Sequence, residues 1–355
     1  MNRHRTGRGA LAVILAGLVV VAGGAAIAGG FARHHHTIQS STDSAAHIYL
    51  REKLPAGRGA RTMGKAILFV HGATYPGTSF DLPVPGYNWT DYVAERGYAA
   101  YYLDVRGYGL STRPPAMAAP AANNPPFMRA ADAIRDISDA VQFIRERAGV
   151  ERVALVGWSW GTVTAGMYTA AHNDMVHKLV LYAPVYAVDR PQLLRRFKLA
   201  DPNDAGRFNP AIGAYRTITA AAARGRWEAQ IVPEDKDLWR EDRVFRTWFA
   251  EIQATDPLGA AANPAYVRAP NGVLVDVFEI FSNRPVYDAK AITVPTLIIR
   301  GADDPTATDD DARGLLARLG AADKSYRILP DGSHFISLER EGARIFDAVQ
   351  EFLDR

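Results

Sequence analysis

The sequence predicts an α/β fold: a mostly parallel sheet flanked by helices, with an inserted helical cap. Three observations carry this expectation. Short apolar runs alternate with amphipathic segments along most of the 355 residues, the pattern of parallel strands joined by crossover helices. One of those runs leads into Gly157-Trp158-Ser159-Trp160-Gly161 and then directly into a helical segment. The alternation stops between residues 186 and 287, where aromatic residues crowd into helical stretches, and then resumes.

Taken in order, the chain opens with a basic stretch, MNRHRTGR, followed by the uncharged run ALAVILAGLVVVAGGAAIAGG. This is the pattern of a secretory signal, and Ala26-Ile27-Ala28 offers a small-x-small cleavage site. At ~1.5 Å per residue the run is also long enough to cross a bilayer. Residues 1–28 are therefore expected to be a cleaved signal peptide or a retained membrane anchor. Either places the body of the protein outside the cytoplasm, as a periplasmic, secreted or membrane-anchored protein. Residues 29–45, rich in Gly, His, Ser and Thr, are expected to be a linker, with His34, His35 and His36 part of a solvated tether rather than a metal site.

The first part of the core is expected over 46–185. Strands are predicted at 65–70 (KAILFV), 99–105, 152–156 and 178–182, and helices at 88–96, 130–147 and 162–171. In the longest of these, Ile134, Ile137, Val141 and Ile144 recur at steps of three and four, which makes one apolar face. The cap, 186–287, carries Trp227, Trp239, Phe245, Trp248, Phe249, Phe278 and Phe281. The second part of the core, 288–355, supplies strands at 296–300 and 325–329 and helices at 309–319 and 338–353.

Composition narrows the function. The net charge of +3 comes from Arg3, Arg5 and Arg8; without them basic and acidic residues balance at 38 each. A neutral body gives no electrostatic footprint for nucleic acid. The chain has no cysteine, which removes disulfides, thiolate metal sites and a cysteine nucleophile.

The chemistry-bearing residues fall in a definite order. A serine between two glycines, on a strand-turn-helix, has its hydroxyl lifted clear of the sheet by a strained turn, and the close approach of strand and helix leaves room only for glycine on either side. Ser159 is thus the candidate nucleophile. A serine hydroxyl needs a general base. Of nine histidines, only His334 lies in a loop after the last predicted strand, where the base of such enzymes belongs. The base needs an orienting carboxylate. After the strand 296–300 the chain reads Gly301-Ala302-Asp303-Asp304-Pro305; the spacing from the glycine selects Asp304 over its neighbour Asp303. Acyl transfer also needs backbone donors for an oxyanion. Trp160 is expected to supply one N–H and the loop 71–77 (HGATYPG) the other, from Ala73 or, as second choice, Thr74.

With these motifs in order, the chain from about residue 47 to its end resembles the α/β-hydrolase superfamily. Asp104-Val105-Arg106-Gly107-Tyr108-Gly109-Leu110-Ser111 looks like the D-x-R-G-x-G-x-S turn of its capped members, where it braces the oxyanion and elbow loops. The resemblance implies a serine hydrolase that needs no metal or organic cofactor. Serine at the elbow argues against the epoxide hydrolase and haloalkane dehalogenase branches, which use Asp there. The Trp-Ser-Trp elbow is similar to that of proline iminopeptidases, but their oxyanion loop usually reads H-G-G-P-G. A carboxylic-ester hydrolase is therefore expected, acting on a small hydrophobic ester. An aminopeptidase or other acyl hydrolase is the alternative, and a non-catalytic ligand-binding member of the fold ranks below both. Trp158, Trp239, Phe245 and Trp248 are expected to line the substrate pocket. The peptidase alternative would instead place a carboxylate, Glu241 or Glu251, on a substrate amine.

Overall fold

The computed structural model describes residues 26–28 and 30–355. Its strands, in chain order, are β1 (Ala26–Ala28), β2 (Phe31–Gln39), β3 (His47–Pro55), β4 (Ala66–Val70), β5 (Ala99–Asp104), β6 (Val153–Trp158), β7 (Val176–Tyr182), β8 (Ala200–Asp201), β9 (Asp204–Phe208), β10 (Tyr215–Thr219), β11 (Tyr266–Pro270), β12 (Thr296–Gly301) and β13 (Lys324–Leu329). Nine of them form one sheet in the order β1-β2-β3-β5-β4-β6-β7-β12-β13. The first three join antiparallel, and from β5 onward every pairing is parallel. Every residue of β4, β5, β6 and β12 is buried. Helices cover both faces of such strands, which explains their unbroken apolar runs.

The flanking helices are Trp89–Glu95, Ala130–Ala148, Trp160–Ala171, Asp309–Arg318 and Ala343–Asp354. In Ala130–Ala148 the buried residues include Ile137, Val141 and Ile144, which form the expected apolar face, whereas Ile134 is only half-buried. Asn88 caps Trp89–Glu95 by accepting the Asp91 N–H at 2.8 Å. The helix expected at 338–353 starts later, at Ala343, behind a short 3-10 turn over Ile336–Leu338.

Two expectations are corrected. The linker expected over 29–45 contains a strand, Phe31–Gln39. Phe31 to Gln39 pair residue for residue with β3, from Phe31 against Pro55 to Gln39 against His47. Phe31, His36 and Ile38 are buried, and His36 Nε2 lies 3.0 Å from Glu52 Oε2. A segment rich in His and Thr looks like a tether by composition, but backbone pairing makes it a strand, and Glu52 meets one ring nitrogen of its inward His36. The insertion between β7 and β12 is also not purely helical. It holds the helices Pro191–Arg196, Ala220–Glu228, Asp242–Ala254, Pro257–Ala260 and Gly272–Phe281, together with the antiparallel pairs β8–β9 and β10–β11. The strands of β10–β11 are far apart in sequence, so no local periodicity announces their pairing.

The export segment expected over 1–28 lies outside the described residues, apart from Ala26–Ala28, which pair with Phe31 to Arg33. Among the described residues no helix is long and apolar enough to cross a membrane.

The docking of β2 depends on one buried carboxylate. Glu52 accepts from Tyr101 Oη at 2.6 Å and from Arg147 Nη2 at 2.7 Å, and it faces His36. Burial pushes its carboxyl up, but the hydrogen bonds of His36, Arg147 and Tyr101 outweigh this and hold it at about 2. A depressed carboxyl stabilises the fold above its unfolded value, and that contribution fades as pH falls toward the folded value. Glu52→Gln should therefore cost about 3 kcal/mol at pH 7, measured by urea unfolding. The gap to wild type should narrow steadily as pH falls from ~4.5 toward 2. A gap that stays constant with pH would show that the carboxylate charge does not hold β2.

Candidate active site

Strand β6 ends at Trp158, and the next residue, Ser159, sits at φ 57, ψ −120. This region is costly for a residue with a side chain, roughly 1–3 kcal/mol. Neighbouring bonds hold it: Ser159 N–H donates to Tyr182 O at 2.9 Å, and Thr162 N–H and Oγ1 both donate to Ser159 O. The two flanking glycines are required by space. A Cβ on Gly157 would stand 2.3 Å from Gly161 O, and one on Gly161 would stand 2.2 Å from Val70 O.

His334 lies in the loop after β13. Its Nδ1 is 2.7 Å from Asp304 Oδ2. The other oxygen, Oδ1, accepts the N–H groups of Thr306 and Ala307 at 2.8 and 2.9 Å. Asp304 is thus buried with both oxygens occupied, while the neighbouring Asp303 is half-buried and forms no hydrogen bond with His334. Ser159 and His334 line the same narrow cleft with Trp158. No hydrogen bond joins Ser159 to His334; such contacts commonly tighten only when substrate binds.

The loop after β4 meets this pair from the other side. Ala73 borders both the cleft and the larger cavity beside it, and Trp160 borders the cavity. The carbonyl of Ala73 accepts from Tyr108 Oη at 2.8 Å and Arg216 Nη2 at 2.5 Å, which fixes the orientation of the loop. His71 Nε2 accepts the Val105 N–H at 3.1 Å. Burial drives the pKa of His71 down against the opposing pull of Asp104 and Gly72, so its ring stays neutral. Asp104 accepts from Gly77 N–H and Leu110 N–H at 2.8 and 2.9 Å, and Arg106 pairs with the buried Asp136. Asp104 thus braces two loops and Arg106 is tied to the helix Ala130–Ala148, and neither borders the cleft or the cavity beside it.

The larger cavity has a volume of about 250 Å³. Its apolar wall includes Val185, Leu199, Leu274, Val277 and Phe281. This corrects the expected pocket. Trp239, Phe245 and Trp248 border neither the cavity nor the cleft. Trp248 is fully buried, 4.5 Å ring to ring from Tyr75, with its Nε1 on Ser79 Oγ at 3.0 Å. Phe245 is buried beneath the Arg224 guanidinium, and half-buried Trp239 gives its carbonyl to Arg340 N–H. The aromatic face of Asp242–Ala254 glues the cap to the sheet domain, because the large apolar side chains of an amphipathic helix go first to the core. Trp158 does border the cleft, and it also braces the His334 loop: its Nε1 donates to His334 O at 3.0 Å, as does Tyr182 Oη. Glu241 is bound to Tyr87, Arg243 and Arg340, and neither it nor Glu251 reaches the cavity.

Residues 65–341 match the family model described as alpha/beta hydrolase fold. The chain belongs to the α/β-hydrolase family. An uncharacterized protein, YnbC, from Escherichia coli K12 is 25% identical over 267 residues, which cover 75% of this chain and 39% of that protein. The matched region thus spans well under half of that relative. Among solved structures, a thermophilic esterase from Thermogutta terrifontis superposes with a TM-score of 0.60 at 16% identity, covering 90% of this chain and 98% of that one. An esterase from Exiguobacterium antarcticum does so with a TM-score of 0.58 at 16% identity, covering 90% and 99%. At that identity the likeness shows the shared fold.

Sequence reasoning missed three residues of this α/β-hydrolase site. Arg216 and Arg226 border the cavity from β10 and the following helix; nothing in their local sequence marks them. Glu339 locks the His334 loop from behind. It accepts the Ser333 N–H at 3.0 Å, the Trp227 Nε1–H at 2.9 Å and the Ser333 hydroxyl. Burial raises its carboxyl, and the bonds from Ser333 and Trp227 only partly oppose this. Glu339→Ala would leave these buried donors without an acceptor, and it should cost about 2–4 kcal/mol. Urea unfolding measures this directly; an unchanged midpoint would mean that the loop is held by something else.

Proposed function

We propose that this α/β-hydrolase is a serine enzyme that cleaves a carboxylic ester through an acyl-enzyme on Ser159. One observation carries the reading: a serine held at positive φ opens onto a cleft shared with a histidine whose other ring nitrogen is bonded to a buried aspartate. In this mechanism Ser159 Oγ attacks the ester carbonyl while His334 Nε2 takes its proton. The backbone N–H groups of Ala73 and Trp160 stabilise the oxyanion. Collapse expels the alcohol, which receives the proton from His334. Water, deprotonated by His334, then attacks the acyl-enzyme and frees the acid and Ser159. Asp304 keeps the ring in the tautomer that leaves Nε2 free to accept, and it stabilises the imidazolium.

The same reading extends to location. The basic and apolar N-terminal stretch supports export or membrane anchoring, so fractionation of cells and N-terminal sequencing should find the protein outside the cytoplasm. Ester cleavage is favoured over aminopeptidase action because neither the cleft nor the cavity is lined by a carboxylate that would hold a substrate amine.

Ser159→Ala should remove nearly all hydrolysis of an aryl ester while leaving the circular dichroism unchanged. Asp304→Asn should lower kcat by roughly 10⁴-fold, the scale seen when a triad acid loses its charge, and Asp303→Asn far less. Near wild-type turnover by Ser159→Ala would overturn the assignment. The reverse ranking of the two aspartates would move the acid by one residue.

A further inference from the structure

Two guanidinium groups border the cavity without a carboxylate to balance them. Arg216 donates only to neutral acceptors: Ala73 O, Thr74 Oγ1, Pro270 O and Asn271 Oδ1. Arg226 has a single side-chain hydrogen bond, 3.4 Å to Thr74 Oγ1, so most of its five N–H donors are unused by protein. Neither forms an ion pair among the described residues. Arg216 is half-buried and Arg226 is exposed, whereas three of the four fully buried arginines have carboxylate partners: Arg190 pairs with Asp311, Arg240 with Glu228, and Arg268 with Asp256; Arg300 bonds the carbonyls of its own loop. No Asp or Glu lines either the cleft or the cavity.

Without a ligand the cost falls on half-buried Arg216, because Arg226 is exposed to solvent. Burial pulls Arg216 below the ordinary arginine range; Tyr108 opposes this and the Arg226 charge adds to it. Two like charges side by side, next to an apolar wall, are what a bound anion would relieve. Arginine also suits a carboxylate in particular, because its planar fork presents parallel N–H donors. Both guanidiniums touch the Ala73-Thr74 segment that flanks Ser159, so an anion held there belongs to the molecule being cleaved.

We propose that the substrate is an anionic ester whose carboxylate is held by Arg226 and Arg216, while Leu199, Leu274, Val277 and Phe281 cover its uncharged part. This rests on the ester-hydrolase reading of Ser159 and replaces a purely hydrophobic substrate with one that is apolar at one end and charged at the other.

The test compares matched esters at low ionic strength: p-nitrophenyl valerate against p-nitrophenyl hemiglutarate, and phenyl acetate against para-acetoxybenzoate. The first pair places the charge on the acyl side and the second on the alcohol side. In at least one pair the charged ester should show a kcat/KM about 10- to 100-fold above its neutral partner, the worth of a hydrogen-bonded charge. The advantage should appear mainly in KM, shrink with added salt, collapse toward unity in Arg226→Gln and partly return in Arg226→Lys. Independently, the Ser159→Ala protein should bind glutarate in a calorimeter, and adding Arg226→Gln should weaken that binding about 10-fold or more. Equal kcat/KM within both pairs, with no glutarate binding, overturns the anionic substrate while leaving an ester hydrolase. Arginine-dependent glutarate binding with no ester cleaved overturns the ester reading and keeps the anion site.

Discussion

The close approach of three backbones at the end of β6 is the constraint on which the rest of the site depends. Gly157 must meet Gly161, and Gly161 must meet the carbonyl of Val70, with no room for a Cβ at either. The first contact forces the chain to reverse sharply at Ser159. The second ties that reversal to the end of β4, from which the loop containing Ala73 departs. One packing requirement therefore brings the Ser159 hydroxyl, a helix N-terminus and the β4 loop together. The strain at Ser159 persists because the turn is over-determined. Its N–H is bonded across to β7, its carbonyl receives two donors from Thr162, and the surrounding strands are buried on both faces.

The loops of Asp304 and His334 use the same economy farther along the sheet. Arg300 turns back from the end of β12 to hold the carbonyls of Ala302, Asp304 and Ala307, which shapes the loop presenting Asp304. Glu339, Tyr182 and Trp158 hold the His334 loop from below. The imidazole thus meets its carboxylate through two loops that are each fixed independently, so the 2.7 Å contact needs little further ordering. The buried ionic groups in these supports are hydrogen-bonded, Arg300 to carbonyls and Glu339 to Ser333 and Trp227, and the pair Arg216 and Arg226 borders the cavity without a carboxylate.

Some of this was legible in the chain because it rests on short-range rules. A serine two residues from each of two glycines, after a run of Val and Leu, defines a strand, a reversal and a helix within a dozen residues, about the reach of local backbone sterics. His334 and Asp304 were legible for the same reason, since each follows a recognisable strand, and the glycine at 301 distinguishes Asp304 from Asp303. The cap was not legible at the level of its faces. Trp239, Phe245 and Trp248 promised a pocket by size and spacing, but periodicity shows only that a helix has an apolar face, not whether that face meets a ligand or the protein's own core.

The sequence by itself determined the strand–helix order, the strained turn at Ser159 and the identity of the groups that end the strands, because steric exclusion and hydrophobic burial act over a few neighbouring residues. Tertiary structure alone decided three things. It made 31–39 a strand, through pairing with 47–55 and burial of His36 against Glu52. It turned the aromatic face of Asp242–Ala254 onto the sheet domain and left Val185, Leu274 and Phe281 to wall the cavity. It also set Arg216 and Arg226 beside a loop some 140 residues earlier in the chain. Each depends on which distant segments meet, and such meetings are chosen by the total burial and pairing of the fold rather than by any local pattern.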